Sequence, residues 1–585
     1  MTIKTAQYLV QRGSSKYKVS GEDLLNRDSL ILNAGDIFQV ERGGTQYKLT
    51  VSINGSGYVD VSDIAGTDMF VCDDGGTEKR ISGTLFKALV GYNNWDGNSG
   101  GIFHVKNVTN GNLLLTGGPY TAWDLDGSNE RQVTSVSVGE ELVFASNPNA
   151  HSLFFVSGSG NKAIEWEFGS FTNTSNVTNM ANMFHNAYEF NQYVGDWDVS
   201  KVTNMKSMFH NTMAFDQYIG EWDVSNVTDM SFFLNGGVSG GVFNQDLNGW
   251  NVTNVTNMAY MFYDVNPFDQ NIGDWDVSNV TNMKGMFGET KFNQNIGGWD
   301  VSNVNTMSYM FAGNNSFNKD ISGWNVTNVT NFHRIFSSAT KFNQDIDGWD
   351  VSNVTNMSFM FRNARFFNKD INSWDTTNVT DMSYMFENAV RFDQSLSGWD
   401  VSNVTNMFEM FAGNNIFNGD ISSWSPSKVQ YFNKMFIGAS FFNQDLSGWN
   451  VSNARSFQLM FAGAAAFDSN LSSWNTSNVT DMSGMFNNDT AFTNGGNQDL
   501  GNWDTSKVTN MYLMFSNNPA FNSNISSWDT SNVALMSYVF NNATTFNQDL
   551  SGWCVSLITS KPNNFDTSSG FENETALQPQ WGTCP

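Results

Sequence analysis

Hydrophobic and polar positions along residues 171–553 repeat with a period of about 25 residues. One copy of the unit, which begins at Trp349, is WDVSNVTNMSFMFRNARFFNKDINSW. Just upstream, the pattern I-x-x-W-x-V that starts at Ile346 ends in a period of two, which predicts a short strand. Further on, four apolar residues have the spacing of one face of a short helix; they are Val354, Met357, Phe361 and Ala364.

A tryptophan opens each unit, and the repeat region has fifteen of them. Eleven of the fourteen steps between these tryptophans are 25 residues, and the others are 24, 28 and 29 residues. A fixed period over hundreds of residues is typical of a solenoid, and a strand with a short helix is the content of a leucine-rich-repeat coil. We therefore predict an α/β solenoid of about fifteen coils with a parallel sheet. The tryptophans are Trp197, Trp222, Trp250, Trp275, Trp299, Trp324, Trp349, Trp374, Trp399, Trp424, Trp449, Trp474, Trp503, Trp528 and Trp553.

A polar column accompanies the apolar pattern. The residue after the last phenylalanine of each unit is Asn or Asp in fourteen of the fifteen copies, with Thr493 as the exception. A stacked row of such side chains is suited to hydrogen-bond the backbone at one corner of every coil. The predicted structural ladder includes Asn191, Asp216, Asn244, Asn293, Asn318, Asn343 and Asn368.

The residue after each tryptophan forms a second column of nine Asp, four Asn, Ser425 and Cys554. Because Asp and Asn replace each other within one chain, we expect these side chains to act as hydrogen-bond acceptors rather than as charges. The alternative is that a cation such as Ca²⁺, which prefers oxygen ligands, bridges neighbouring aspartates such as Asp198 and Asp223.

His185 and His210 occupy the same position in successive units and are the other candidates for metal ligands. A metal site there needs further ligands. Elsewhere the same column contains residues of every type, which indicates an exposed and unconstrained position; examples are Tyr263, Gly288, Ala312, Arg362 and Glu387. We therefore predict no resident metal or cofactor.

The consensus W-D-V-S-N-V-T-N-M-x-x-M-F-x-x-A-x-x-F-N-Q-D-I-S resembles the 25-residue repeat of the BspA-like leucine-rich-repeat surface proteins. The resemblance covers roughly 380 of the 585 residues. Residues 554–585, which follow Trp553 and end in Trp-Gly-Thr-Cys-Pro, resemble the closing cap of that family. The resemblance implies adhesion at a cell surface or outside the cell, and it implies no catalysis.

The chain has three cysteines. Cys554 lies in the last coil and Cys584 is the penultimate residue, whereas Cys72 is far from both. A bridge between Cys554 and Cys584 would tie the tail over the open end of the core, and such a bond fits an oxidising environment. The alternative is two free thiols in a reduced assembly.

Residues 1–90 contain three alternating segments with Gly-containing turns, which predict β-hairpins. These modules resemble the N-terminal segments of structural and fibre proteins of tailed phages, particularly those that infect cyanobacteria. Residues 91–170 alternate apolar runs with Gly/Asn turns, which predicts a small β-sandwich-like domain that ends in a cap for the solenoid. The runs are 101–108, 131–138, 140–145, 153–156 and 163–168.

The net charge of −27, with only 29 Lys and Arg, argues against nucleic acid and anionic membranes as partners. The N-terminus has no apolar segment typical of an export signal, and no run approaches 18 apolar residues, so we expect no membrane insertion. A protein of extracellular type without an export signal could leave the cell by lysis, as virion proteins do.

We therefore predict a non-enzymatic adhesion or receptor-binding protein exposed on a virion, such as a tail fibre. Residues 1–90 would bind other virion proteins, the solenoid would bind a polysaccharide or protein of the host surface, and homo-oligomer formation is left open. The alternatives are a bacterial cell-surface or secreted adhesin and a virion-associated polysaccharide-degrading enzyme. No H-E-x-x-H, P-loop, G-x-S-x-G or C-x-x-C motif is present.

Overall fold

The computed structural model describes the backbone of eight short strands between residues 7 and 143, and residues 174–585 except 176, 189, 238 and 498. The chain divides into two compact units. One consists of Met1–Asp229 and Phe233–Asn251, and the other of Met230–Phe232 and Val252–Pro585.

Six of the strands form antiparallel pairs. Strands β1 and β2 pair with Val10 opposite Tyr17, and strands β3 and β4 pair with Val40 opposite Tyr47. These four strands form one sheet in the order β2-β1-β3-β4, while β5 and β6 form a separate pair. The antiparallel strands that the sequence predicts here are therefore present. The bounds are β1 Gln7–Arg12, β2 Ser15–Ser20, β3 Ile37–Arg42, β4 Thr45–Thr50, β5 Met69–Asp74 and β6 Thr77–Ser82.

Two further strands, β7 Asn112–Leu114 and β8 Glu141–Val143, pair in parallel. Strand β8 lies within an apolar run that the sequence predicts as a strand, and β7 lies outside all of the predicted runs. The remaining runs lie outside the described residues, so the β-sandwich-like domain stays a prediction; they are Gly101–Val108, Arg131–Val138, Leu153–Val156 and Ala163–Phe168.

The predicted helix of each coil is wrong, because the described residues 174–585 contain no α-helix. In an α-helix each N–H would donate to a carbonyl four residues earlier. Here the amide of Met357 donates to the carbonyl of Asp381 at 3.0 Å, and the amide of Phe361 donates to that of Met385 at 2.9 Å. Every second N–H of this segment is thus directed to the next coil, and the N–H groups between them close tight turns.

The strand predicted at residues 346–351 is also absent. The amide of Trp349 instead closes a turn onto the carbonyl of Ile346 at 3.1 Å. Successive coils do align in parallel, but their β-type contact is one residue wide and lies elsewhere in the unit. Asn356, for example, forms parallel bridges with Asn331 and Asp381. The repeat organisation is therefore present without the predicted helix and strand. After the last coil, a 3-10 helix, η1, spans Thr575–Leu577.

Aromatic columns build the core of both units. In the first unit the rings of Trp197 and Trp222 stack with centroids 6.4 Å apart. In the second, Phe361 stacks on Phe367 of its own coil at 3.9 Å and on Phe386 of the next at 5.6 Å. All of these side chains are at most 5 % exposed. Because each coil covers the next, the apolar faces are removed from water only in the stack.

Each opening tryptophan from Trp299 to Trp553 also bonds to the neighbouring coil. The indole Nε1 of Trp374 donates to the carbonyl of Ile346 at 3.1 Å, and Trp553 donates to Ile525 in the same way at 3.1 Å. A buried indole N–H needs such a partner. This bond repeats down the column, which explains why tryptophan opens every unit.

Candidate functional site

The residues of the Asn/Asp ladder join neighbouring coils. Asn318 Oδ1 accepts the backbone N–H of Asn343 at 2.9 Å, and Asn343 Oδ1 accepts that of Asn368 at 3.0 Å. Asp216 accepts the backbone N–H of Asn244 at 2.9 Å in the same geometry, so a carboxylate and an amide oxygen are interchangeable here. Asn191, Asn293 and Asn368 are acceptors of the same kind.

The second polar column holds turns within each coil. Asp198 Oδ1 accepts the backbone N–H of Ser200 at 3.0 Å, and Asp223 accepts that of Ser225 at 3.1 Å. The side-chain and backbone hydrogen bonds from Ser200 lower the pKa of Asp198. Asn325 makes the equivalent bond to the backbone N–H of Thr327 at 3.2 Å. The acceptor role explains why Asp and Asn alternate along the column.

His185 and His210 lie side by side, with ring centroids 4.5 Å apart. Burial, and then the charge of His210, lowers the pKa of His185 to about 4, and burial also lowers the pKa of His210. Both rings are therefore neutral at pH 7. The expectation that this column is exposed is wrong, since Glu387 in it is only 9 % exposed. Within residues 174–585 as described, no group of three or more His, Cys, Asp or Glu side chains is arranged to hold a metal ion.

Cys554 and Cys584 are joined as a disulfide, with Cα atoms 4.1 Å apart. Around it the tail pairs with the last coil: the amide of Val555 donates to the carbonyl of Thr583 at 2.8 Å. Trp581 packs edge-on against Phe565, with ring centroids 4.9 Å apart. The bond thus fixes the chain end to the last repeat.

A surface feature that the sequence analysis missed lies nine and ten residues after the opening tryptophan. Five successive coils place aromatic and cationic side chains there in alternation, and we name this set the aromatic–cation row: Tyr260, Lys284, Tyr309, Arg334 and Phe359. Lys284 Nζ lies 5.6 Å from the ring centroid of Tyr260 and 5.7 Å from that of Tyr309. Arg334 Cζ lies 5.5 Å from the centroid of Tyr309 and 4.4 Å from that of Phe359.

His333 forms hydrogen bonds beside the aromatic–cation row. Its Nδ1 is 2.7 Å from Ser358 Oγ and its Nε2 is 3.2 Å from the hydroxyl of Tyr309. Burial is the largest cause of the lowered pKa of His333, so the ring is neutral at pH 7. The Nε atom of Arg334 is buried and has no hydrogen-bond partner. The consensus N-M-x-x-M-F treats these positions as unspecified, and their variation from coil to coil is the signal that could have found them.

Beyond Phe359 the surface changes in character. Tyr384 stacks on Phe359 with centroids 4.3 Å apart. Two later cations are paired with acids: Arg362 with Glu387, and Lys434 with Glu409 at 2.8 Å. Lys284 and Arg334 take part in no ion pair within the described residues. No acid within the described residues therefore neutralises the two cations of the aromatic–cation row.

Among the described residues, no helix has the length and apolar character needed to cross a membrane. The family described as "Mycoplasma protein of unknown function, DUF285" matches six overlapping segments of the chain. They are residues 152–269, 195–295, 256–374, 282–399, 365–474 and 456–578.

No curated protein and no solved structure matches the chain. The family matches begin at residue 152, so the resemblance of residues 1–90 to tailed-phage proteins receives no support from these comparisons. The matched segments together span residues 152–578 without a gap, which is more than half of the chain. The repeated match agrees with the repeated coils of the structure, and the chain belongs to the DUF285 family of repeat proteins.

Proposed function

We propose that this protein is a non-enzymatic adhesion protein whose coils present a recognition surface to a cell envelope. One observation carries the proposal: the constant polar columns are engaged in holding the coils, whereas the variable positions form the aromatic–cation row on the surface. In a repeat protein, recognition falls to the positions that the fold leaves free to vary. Many repeated contacts along such a surface also give an avidity that exceeds each single contact.

The absence of an enzymatic role is part of the proposal. Carboxylates are frequent in the coils, but those of the column after tryptophan accept hydrogen bonds from their own turns, as Asp350 does from the backbone N–H of Ser352 at 3.1 Å. The ladder carboxylates, such as Asp393, accept the backbone N–H of the next coil, here that of Asn418 at 2.7 Å. These acids are committed to the fold, which supports binding rather than hydrolysis.

We place the protein on the exposed surface of a virion, with residues 1–90 bound to other virion proteins and the coils turned to the host. The hairpins of residues 1–90, which resemble phage fibre segments, support this location. The family description names a cellular organism, Mycoplasma, and this favours a second candidate, a bacterial cell-surface adhesin. Both candidates assign the same task to the coils.

Immunogold labelling with antibodies against the full chain separates the two candidates. Label on phage particles from a lysate of the source culture is expected for the virion protein, and label on intact cell envelopes is the result for a cellular adhesin. Fluorescently labelled full-length protein should bind cells of the natural host, and an excess of unlabelled protein should remove the signal. A chelator in a parallel sample tests the Ca²⁺ alternative. Absence of any saturable binding would contradict the adhesion function.

A further inference from the structure

Four of the five residues of the aromatic–cation row lie at a backbone position that bulky residues normally avoid. Ten residues after the opening tryptophan φ is positive in each coil from that of Trp197 to that of Trp528, a conformation that glycine adopts without steric cost. Two coils do use glycine, Gly285 and Gly484. Seven others carry an aromatic ring or a guanidinium in the same conformation, and four of these belong to the row; they are Tyr260 (φ 56°), Tyr309 (φ 63°), Arg334 (φ 59°) and Phe359 (φ 59°).

These side chains are not part of the core that holds the coils together. The core consists of the tryptophan, phenylalanine, methionine and valine columns, which are almost completely buried. Tyr260, Tyr309, Arg334 and Phe359 are only half-buried. A strained backbone position that is kept for a partly exposed side chain is a reason to look for a function of that side chain.

The rings of the row hold its two cations in fixed places. Lys284 lies between Tyr260 and Tyr309, and Arg334 lies between Tyr309 and Phe359, at the centroid distances given above. Cation–π contacts of this kind order the flexible stems of Lys and Arg without neutralising their charge. The faces of these rings are consequently occupied by the cations.

The spacing of the cations limits the charge density of a partner. Lys284 and Arg334 belong to coils two steps apart, so they are separated by roughly 10 Å, about twice the spacing of adjacent strands. Double-stranded DNA carries one charge per about 1.7 Å, and single strands bind by stacking bases on free ring faces. The row offers neither dense charge nor free ring faces, and the chain as a whole repels densely charged polyanions with its net charge of −27, so the row fits a partner with few and widely spaced acidic groups.

We propose that the aromatic–cation row binds a linear acidic polysaccharide, with successive acidic groups on Lys284 and Arg334. This inference rests on the proposed adhesion function and names its ligand class. A guanidinium donates two parallel hydrogen bonds to a carboxylate or sulfate, and the half-buried Arg334 side chain takes part in no ion pair within the described residues. A polymer with an acid on every second sugar ring spreads its charges widely and offers hydroxyl groups between them.

The test measures binding of the full-length protein to fluorescently labelled hyaluronan, a linear polysaccharide with an acid on every second ring. The matched variants replace one residue of the same backbone position by glycine, which the chain itself uses there. Arg334→Gly removes a cation of the row, and Leu513→Gly (φ 58°) is the control in a distant coil. Thermal unfolding of each variant verifies its fold.

Arg334→Gly should weaken hyaluronan binding roughly tenfold, because a hydrogen bond between charged groups is lost. Leu513→Gly should leave binding unchanged, and added salt should weaken binding of the wild-type protein. Equal binding of the methyl-esterified, uncharged polymer would overturn the proposal. Tighter binding of single-stranded poly(dT), or an equal loss in the Leu513→Gly control, would overturn it as well.

Competition on cells distinguishes a wrong ligand class from a wrong function. If hyaluronan displaces labelled protein from host cells, the row and the adhesion function are both supported. If the protein binds cells saturably but hyaluronan neither binds nor competes, the ligand class is wrong and adhesion stands. If the protein binds hyaluronan through Arg334 but binds no cell, the adhesion function fails and the polysaccharide site remains.

Discussion

At the scale of single residues, Asp489 is a buried acid in an unfavourable environment. It is 0 % exposed, and its Oδ2 atom has no hydrogen-bond partner. Burial, with a further contribution from the negative charge of Asp468, raises the pKa of Asp489 well above its ordinary value. The same position holds alanine in many coils, such as Ala364, and a buried asparagine in others, such as Asn414.

We expect Asp489→Asn to stabilise the protein at neutral pH by about 1–2 kcal/mol, since a buried unpaired acid is replaced by an amide with a donor. In the equivalent place Asn414 Nδ2 donates to the carbonyl of Phe392 at 2.9 Å. Because the folded-state pKa of Asp489 is raised, its favourable contribution is present below its unfolded pKa and is lost as pH rises through the folded pKa. The measurement is the melting temperature of both proteins at pH values between about 4 and 8.

The variant should therefore melt higher than wild type at pH 8 and show a weaker decline as pH rises. Asp345→Asn, at an exposed acid, is the control and should leave the melting temperature unchanged. An Asp489→Asn protein that melts lower than wild type at every pH would contradict the prediction.

The sequence could predict the role of a residue only where that role requires a particular type of side chain. The ladder residue Asn343 could be identified because Asn and Asp exchange only where an acceptor is needed. The positive φ of Tyr309 or Phe359 could not, since aromatic residues give no indication of a left-handed backbone. The candidate surface was therefore missed although the columns beside it were found.

At the scale of the element, one coil shows why the sequence predicts the 25-residue period correctly but predicts a helix that is absent. Apolar side chains three and four residues apart indicate a helix only if each N–H remains within its own segment. In the coil the N–H of Phe359 leaves the segment for the carbonyl of Ser383 at 2.8 Å, and φ at Phe359 is 59°. A series of tight turns thus imitates helical spacing while it directs hydrogen bonds to the neighbour.

The ladder gives a prediction at this scale. Asn343→Ala leaves the N–H of Asn368 without its acceptor at 3.0 Å and should cost about 0.5–1.5 kcal/mol. Asn343→Asp keeps an acceptor oxygen, as Asp393 and Asp468 do in other coils, and should differ from wild type by less than about 0.5 kcal/mol. Chemical unfolding followed by tryptophan fluorescence measures both. Equal losses in the two variants would mean that the ladder does not act as a row of acceptors.

At the scale of the whole molecule, a stack of coils must be closed at its end, because a coil covered on one side leaves its other apolar face in water. The C-terminal residues provide this cover for the last repeat. Phe571 packs edge-on against Phe540 at 5.6 Å and against Phe546 at 5.1 Å. The amide of Leu550 donates to the carbonyl of Leu577 at 2.8 Å, so the cap also continues the backbone pairing.

The disulfide that fastens this cap gives the last prediction. Cys554 and Cys584 are separated by 30 residues, and closing a loop of that length stabilises the folded state by about 3–4 kcal/mol through chain entropy. The double variant Cys554→Ser with Cys584→Ser should therefore unfold at lower denaturant concentration, and a reducing agent should shift wild type to the same midpoint. Cys72→Ser is the matched control, since Cys72 lies far from the cap in sequence. Mass spectrometry of unreduced protein that finds both thiols free would contradict the bridge, and it would indicate that packing of Phe565, Phe571 and Trp581 alone closes the stack.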